Sequence, residues 1–275
     1  MEPAMSDIVL SAGVRSNLLQ LQKTSELITS TQTKLATGRR VNSALDNPIN
    51  YFTAQSLNVR ANDLNALLDT MSTGINTIQA ANNGITAITK LVQSAQSLVS
   101  QAQQTADTTV RATLASQFDS IRTQIDQLAG DAGINGVNLL GGNDLTITLN
   151  ESATSTVTIT AVNDTTAGDL AINASANSWA AGGDITAAST ELTAALVKLR
   201  SQSQALSSTL QTVQVRQDFT KAMINTLNTG ADNLTLADSN EEGANLLALQ
   251  TRQQLSTTAL SLASQADQNV LKLFS

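Results

Sequence analysis

Residues 57–99 read LNVRANDLNALLDTMSTGINTIQAANNGITAITKLVQSAQSLV. Every seventh position from Leu57 is apolar, through Leu64, Met71, Ile78, Ile85, Val92 and Val99, with Ala61, Leu68 and Ile75 in the four-residue steps between them. Seven residues are close to two helical turns, so such a column stays on one side of a helix and forms a seam that another helix must cover. Asn82, Thr89 and Gln96 make the second column polar further on. At about 1.5 Å per residue the stretch predicts a rod of roughly 64 Å, longer than the ~50 Å diameter of a compact globule of this chain length. A second run, Leu192, Leu199, Leu206, Val213, Thr220, Leu227 and Leu234, with Leu196, Leu210, Ile224 and Ala231 as companions, predicts a second rod. A mainly α fold is expected, an elongated antiparallel helical bundle with these two seams as its core.

The same spacing recurs at both chain ends. Val14, Leu21, Ile28 and Leu35 are seven apart and joined by Leu18, while Ser25 and Gln32 dilute the seam. Leu255, Ala259, Leu262, Ala266, Val270 and Leu273, with Phe274 beside the last, make an equivalent stripe near the C-terminus. Each end reads as one amphipathic helix. Leu114, Phe118, Ile121, Ile125 and Leu128 suggest a shorter helix between the rods.

Punctuation separates these helices. Gly38 follows Leu35-Ala36-Thr37 as a left-handed C-cap, and Asp46-Asn47 precede a proline at the first helical position, Pro48. Ser239 and Glu242 have the spacing of a capping box. Between residues 131 and 185 the period becomes two: Leu145–Leu149 and Thr156–Thr160 alternate around a turn at residues 150–155, which predicts a β-hairpin. Gly141-Gly142 and Gly182-Gly183 bracket that region as turns; they lack the Lys-Ser/Thr of a phosphate loop.

Composition narrows the function. The chain has no Cys and no His, which removes thiolate nucleophiles, Cys/His metal centres and imidazole bases, so neither an enzyme nor a cofactor is expected. Its formal charge of -7 argues against a nucleic-acid partner. No apolar run approaches the ~20 residues of a membrane span, and no cleavable secretory signal is expected. Charged residues are only 13% and aromatic residues 2% of the chain, leaving a surface of Ser, Thr, Asn and Gln suited to packing against further copies.

Three segments match the motifs of a known family. Leu35-Ala36-Thr37-Gly38-Arg39-Arg40-Val41-Asn42-Ser43-Ala44-Leu45-Asp46-Asn47-Pro48 is similar to the stretch after that family's first helix. Ile134-Asn135-Gly136-Val137-Asn138-Leu139-Leu140 is similar to the segment before its first hairpin, and Ala263 through Phe274 to its C-terminal helix. Through these segments the chain resembles bacterial flagellin; the resemblance covers both ends and both rods, and the short middle implies a form without large outer domains. It implies three regions: residues 1–40 with 239–275 as a terminal helical domain, 41–130 with 186–238 as a helical rod, and 131–185 as a short outer hairpin region. The filament surface is expected to expose that hairpin region, including Trp179.

The resemblance further implies a structural subunit of the extracellular flagellar filament, which transmits motor torque for swimming. Its implied partners are other flagellin subunits, the hook-filament junction and filament cap proteins, the flagellar type III export apparatus and an export chaperone, with no membrane insertion. Self-assembly is assigned to the terminal helices through Val14, Leu18, Leu21, Ile28, Leu35, Leu255, Leu262, Val270, Leu273 and Phe274. The rod core is assigned to Leu57, Leu64, Met71, Ile78, Ile85, Val92, Leu192, Leu199, Leu206, Val213, Leu227 and Leu234. Residues 6–37 and 239–275 are expected to be mobile in the monomer and to order when neighbouring subunits cover their seams. The alternative is a hook-filament junction protein, which shares the features of the first helix and of Asn42 to Pro48.

Overall fold

The computed structural model describes residues 12–273, with the side chains of 267 and 270–273 left outside the description. The described chain is mainly α: α1 (Ala12–Thr37), α2 (Pro48–Gln104), α3 (Thr108–Asp131), α4 (Gly182–Thr235) and α5 (Ser239–Leu273), with a two-stranded antiparallel sheet of β1 (Leu145–Thr148) and β2 (Thr156–Ile159) between α3 and α4. It divides into two compact units, one built from residues up to Val59 with those from Leu227 onward, the other from Arg60–Thr226. α2 and α4 contribute residues to both.

In the second unit the predicted seams form the core. Leu64, Met71, Ile78, Ile85 and Val92 of α2 and Leu192, Leu199, Leu206 and Val213 of α4 are all buried. In the first unit Leu227 is buried, and Leu57 and Leu234 are half-buried. The companion column differs from expectation. Beyond Ile78 the buried row runs through Ala81, Ile88, Ala95 and Ala102, three residues past each main-column position, not through Asn82, Thr89 and Gln96. Asn82 instead accepts a hydrogen bond from Ser203 Oγ at 2.7 Å, tying α2 to α4 at the seam's edge.

α3 and the hairpin close over this pair. Asp107 caps α3, its carboxylate accepting the Thr109 and Val110 N–H groups. Asn138 caps the other end, its side-chain amide donating to the carbonyls of Ala129 at 2.7 Å and Gly130 at 2.9 Å. The Ile134–Leu140 motif is thus a tight turn, with Asn135 (φ 51°) and Gly136 (φ 81°) at its tip, that delivers buried Leu139 and Leu140 to the core. The hairpin registers Leu145 with Ile159 and Ile147 with Val157. Ile147 lies so close over Gly74 of α2 that a Cβ there would meet its Cδ1 and, at 2.7 Å, its Cγ1.

Two local readings need correction. Trp179 is not exposed: it is fully buried, with its ring centroid 5.0 Å from that of Phe118 on α3. The short 3-10 turn Ala176–Trp179 turns it inward, with positive φ at Asn177, Ser178 and Trp179 itself. Gly182 and Gly183, read as turn residues, open α4.

The segment from the hairpin to this turn is held by the polar face of α3. Ser175 N–H and Oγ donate to the Asp119 carboxylate at 3.0 and 2.6 Å. Arg122 Nε donates to the Ile172 carbonyl at 2.9 Å. Thr166 N–H and Oγ1 donate to Asp126 at 2.6 and 3.0 Å. Three residues at helical spacing therefore replace the backbone pairing that a loop lacks.

Candidate assembly surface

The first unit is organised by the connector between α1 and α2. Gly38 (φ 67°) ends α1 in the left-handed region that an L side chain avoids. The chain then pairs with the end of α4: Arg40 N–H donates to the Thr235 carbonyl at 2.8 Å, and Ala237 N–H to the Gly38 carbonyl at 3.0 Å. Arg40 also reaches the Asn233 carbonyl through Nη2, at 3.0 Å. Asp46 closes the next turn by accepting the Asn42 and Ser43 N–H groups, each at 2.9 Å. These backbone hydrogen bonds from Ser43 and Asn42 hold its carboxyl below the usual carboxylate range. Asn47 Oδ1 then caps α2 by accepting from Asn50 N–H at 3.0 Å.

This connector sets α1 antiparallel against α5, and Lys34 in the last turn of α1 meets Glu242 in the first turn of α5 at 3.1 Å. That contact corrects the expected capping box. Asp238, one residue earlier, caps α5 by accepting from Asn240 and Glu241 N–H, which leaves the Glu242 carboxylate free to pair with Lys34.

On α1, Val14 is buried and Leu21, Ile28 and Leu35 are half-buried, while Leu18 is 38% exposed. The shielded companions are Thr24 and Thr31, three residues beyond the main column, and not the Leu18 row. Threonine tolerates this position because its hydroxyl can bond the preceding turn, as Thr24 Oγ1 does to the Gln20 carbonyl at 2.8 Å.

On α5 the partially shielded row is Glu242, Leu246, Leu249, Gln253, Ser256, Leu260 and Ala263, in steps of four and three. The predicted stripe lies on another side. Leu255 is 67% and Leu262 63% exposed, and Ala259 and Ala266 are exposed with them. At 100° per residue these four project more than 90° from the centre of the shielded row. α5 therefore carries two apolar rows, one against α1 and one left open. The side chains of Val270 and Leu273, and Phe274 altogether, also assigned to assembly, lie outside the description.

A second open apolar patch lies outside the predicted seams. Leu45, Ile49 and Phe52, at helix-like spacing across the connector and the first turns of α2, are 96%, 77% and 61% exposed. The signal was present in the sequence as a 4-3 apolar step, but it falls across the Pro48 boundary, where a connector and a helix were read separately.

Among the described residues no group of three Asp, Glu, His or Cys could hold a metal, and no helix is long and apolar enough to cross a membrane. A groove of about 410 Å³ between α2 and α4 is lined by Lys90, Arg200, neutral polar residues and the apolar Ile85, Leu196 and Leu199.

Comparison with known proteins places these features. A family model for the bacterial flagellin N-terminal helical region matches residues 12–144. Flagellin FljM of Caulobacter vibrioides is 32% identical over 98% of this chain and 99% of its own, and flagellin FljK of the same organism 33% identical over the same shares. A flagellin of Brucella melitensis is 27% identical, again over 98% and 99%. Among solved structures, Bacillus cereus flagellin covers 56% of this chain and 88% of its own, with a TM-score of 0.47 and 20% identity.

Proposed function

The chain belongs to the flagellin family and is a subunit of the extracellular flagellar filament, and we propose that its two terminal helices are the surface through which subunits join. The junction alternative is not favoured, since the relatives matched from end to end are flagellins. The observation that carries the proposal is the open row on α5. Leu255 and Leu262 remain largely exposed after α1 has covered the other side, and a soluble chain has no use for an uncovered apolar row unless another molecule covers it.

On this reading α1 and α5 form the inner terminal domain, the α2–α4 rod with α3 stiffens each subunit, and residues 131–185 form the outward region. The absence of His and Cys supports a purely structural role. Residues 6–37 and 239–275, of which 6–11 and 274–275 lie outside the described residues, order as subunits add, because a seam half-filled by Thr and Gln gives one helix too little apolar burial to offset the entropy of fixing its backbone. Export by the flagellar type III apparatus with a chaperone, and contact with the junction and cap proteins, complete the proposed set of partners.

Deleting residues 262–275 tests this. Seeded growth, followed by electron microscopy and sedimentation, is expected to stop in the truncated chain, while circular dichroism of the rod persists. Truncated protein that still elongates into filaments would remove the terminal helices from the interface.

A further inference from the structure

Residues 161–172 run between the hairpin and the 3-10 turn, and α3 anchors one side of the segment through Arg122 and Asp126. The other side meets α4 through one buried pair. Asp164 is fully buried; its N–H donates to the Leu140 carbonyl at 2.9 Å, and its Oδ1 accepts from Gln202 Nε2 at 2.9 Å. The other carboxyl oxygen, Asp164 Oδ2, and the amide oxygen, Gln202 Oε1, are both buried without a hydrogen-bond partner.

Two orphaned acceptors beside one hydrogen bond are costly in a desolvated site. A carboxylate cannot relieve them, because Gln202 already gives its Nε2–H to Oδ1 and an ionised Asp164 has no donor for the amide oxygen. A carboxylic acid can, since acid and primary amide each present one donor and one acceptor on adjacent atoms. We propose that Asp164 is held as a neutral acid whose Oδ2–H donates to Gln202 Oε1, closing a two-bond ring that latches residues 161–172 onto α4.

The surroundings agree with this assignment. Burial pushes the Asp164 carboxyl up to about 6, opposed by the Gln202 hydrogen bond, reinforced by the negative charge of Asp169 on the same segment, and opposed by Lys198 on α4. Lys198 is itself engaged, donating through Nζ to the Asp169 carbonyl, and its charge disfavours a metal cation in place of the proton. On α3, Arg122 and Asp126 are taken up by Ile172 and Thr166. Because the folded value lies above the ordinary ~3.9 of an unfolded aspartate, the latch contributes fully below that value, and the contribution is lost as pH rises through about 6. The segment is thus tied more firmly in mildly acidic surroundings than in neutral ones.

The test uses the full-length monomer with ¹³C-labelled aspartate carboxyls, titrated by NMR, together with thermal unfolding of wild type and Asp164→Asn from pH 4 to 8. Asparagine places an N–H₂ where the acid places its O–H, so the ring survives at every pH. One carboxyl is expected to titrate near 6 and to be missing from the variant. Relative to Asp164→Asn, the wild-type unfolding constant is expected to rise about twentyfold between pH 4.5 and 7.5. No carboxyl titrating above 5, or wild-type pH dependence retained in the variant, would overturn the assignment. Should the variant fail to fold, the wild-type titration alone decides.

Discussion

Leu260 and Leu262 stand two residues apart on α5, yet one is partly shielded in the row that meets α1 and the other is 63% exposed. Leu→Ala removes three carbons, worth about 0.8 kcal/mol each when fully buried. Roughly two-thirds of that surface is still open at Leu262, so Leu262→Ala forfeits about 1.5 kcal/mol per subunit only when a neighbour covers it. That is about a tenfold rise in the critical concentration for elongation. Leu255 lies seven residues away, about 10 Å along the axis, far enough for its effect to add, so the double variant should need about a hundredfold more subunit. Leu260→Ala should act instead on the α1–α5 pair itself, weakening by about 1.5–2 kcal/mol the pairing that forms as subunits add. Critical concentrations from sedimentation of seeded filaments, and amide exchange across α1 within those filaments, read the two effects separately. Wild-type critical concentration in Leu255→Ala/Leu262→Ala, or equal deprotection of α1 by Leu260→Ala and Leu262→Ala, would refute the division of α5 into an inner and an open row.

Gly74→Ala should destabilise the rod by about 1–2 kcal/mol, since overpacking against Ile147 exceeds the gain in helix propensity of about 1 kcal/mol; in an Ile147→Ala background, chemical denaturation should show the same substitution stabilising. The single Trp, Trp179, is buried on Phe118, so its native emission should be blue-shifted and resistant to iodide until the second unit unfolds, and Trp179→Ala should cost about 3–5 kcal/mol. Asp46 has a carboxyl held below the ordinary range by the Ser43 and Asn42 N–H groups. Its contribution is therefore present above the unfolded value and lost as pH falls through the lower folded one, so amide exchange at Asn42 and Ser43 should accelerate in strong acid, and Asp46→Asn should make it fast at neutral pH.

Large side chains made the helices legible. Met71, Ile78, Ile85 and Val92 form a column that no strand or loop would produce, and all four are buried. The companion column was harder to see because Ala81, Ala95 and Ala102 are small and occur on any helix face, whereas the notable feature at the competing positions was polarity. On α5 two rows compete: the stripe assigned to assembly holds the exposed Leu255 and Leu262, while the row nearer α1 holds Leu246, Leu249 and Leu260 interrupted by Gln253 and Ser256, and which row meets which partner depends on chain placed some two hundred residues earlier. Distance in sequence also hid the Lys34–Glu242 pair, the Phe118–Trp179 contact and the hold of Asp119, Arg122 and Asp126 on residues 161–175. By contrast Gly38, Pro48 and the alternating strands act through their own backbone, and their readings required no partner.

The two rows of α5 also explain why a subunit of this kind benefits from a weak inner seam. Were α1 and α5 joined by leucine at every position, as in a stable coiled coil, the pair would be complete alone, and the apolar area left for neighbours would be small. Thr24 and Thr31 are instead buried with their hydroxyls available to the preceding turn, and the facing row of α5 is interrupted by Gln253 and Ser256. The larger uncovered leucines, Leu255 and Leu262, together with Leu45, Ile49 and Phe52 in the same unit, place much of the available hydrophobic free energy on surfaces that only another molecule can cover. On the proposed reading, ordering of the ends is linked to subunit addition by mass action. Strengthening the inner seam, for example with Thr24→Leu and Thr31→Leu, should raise helix content in the dilute monomer while lowering the steepness with which helix content rises with concentration.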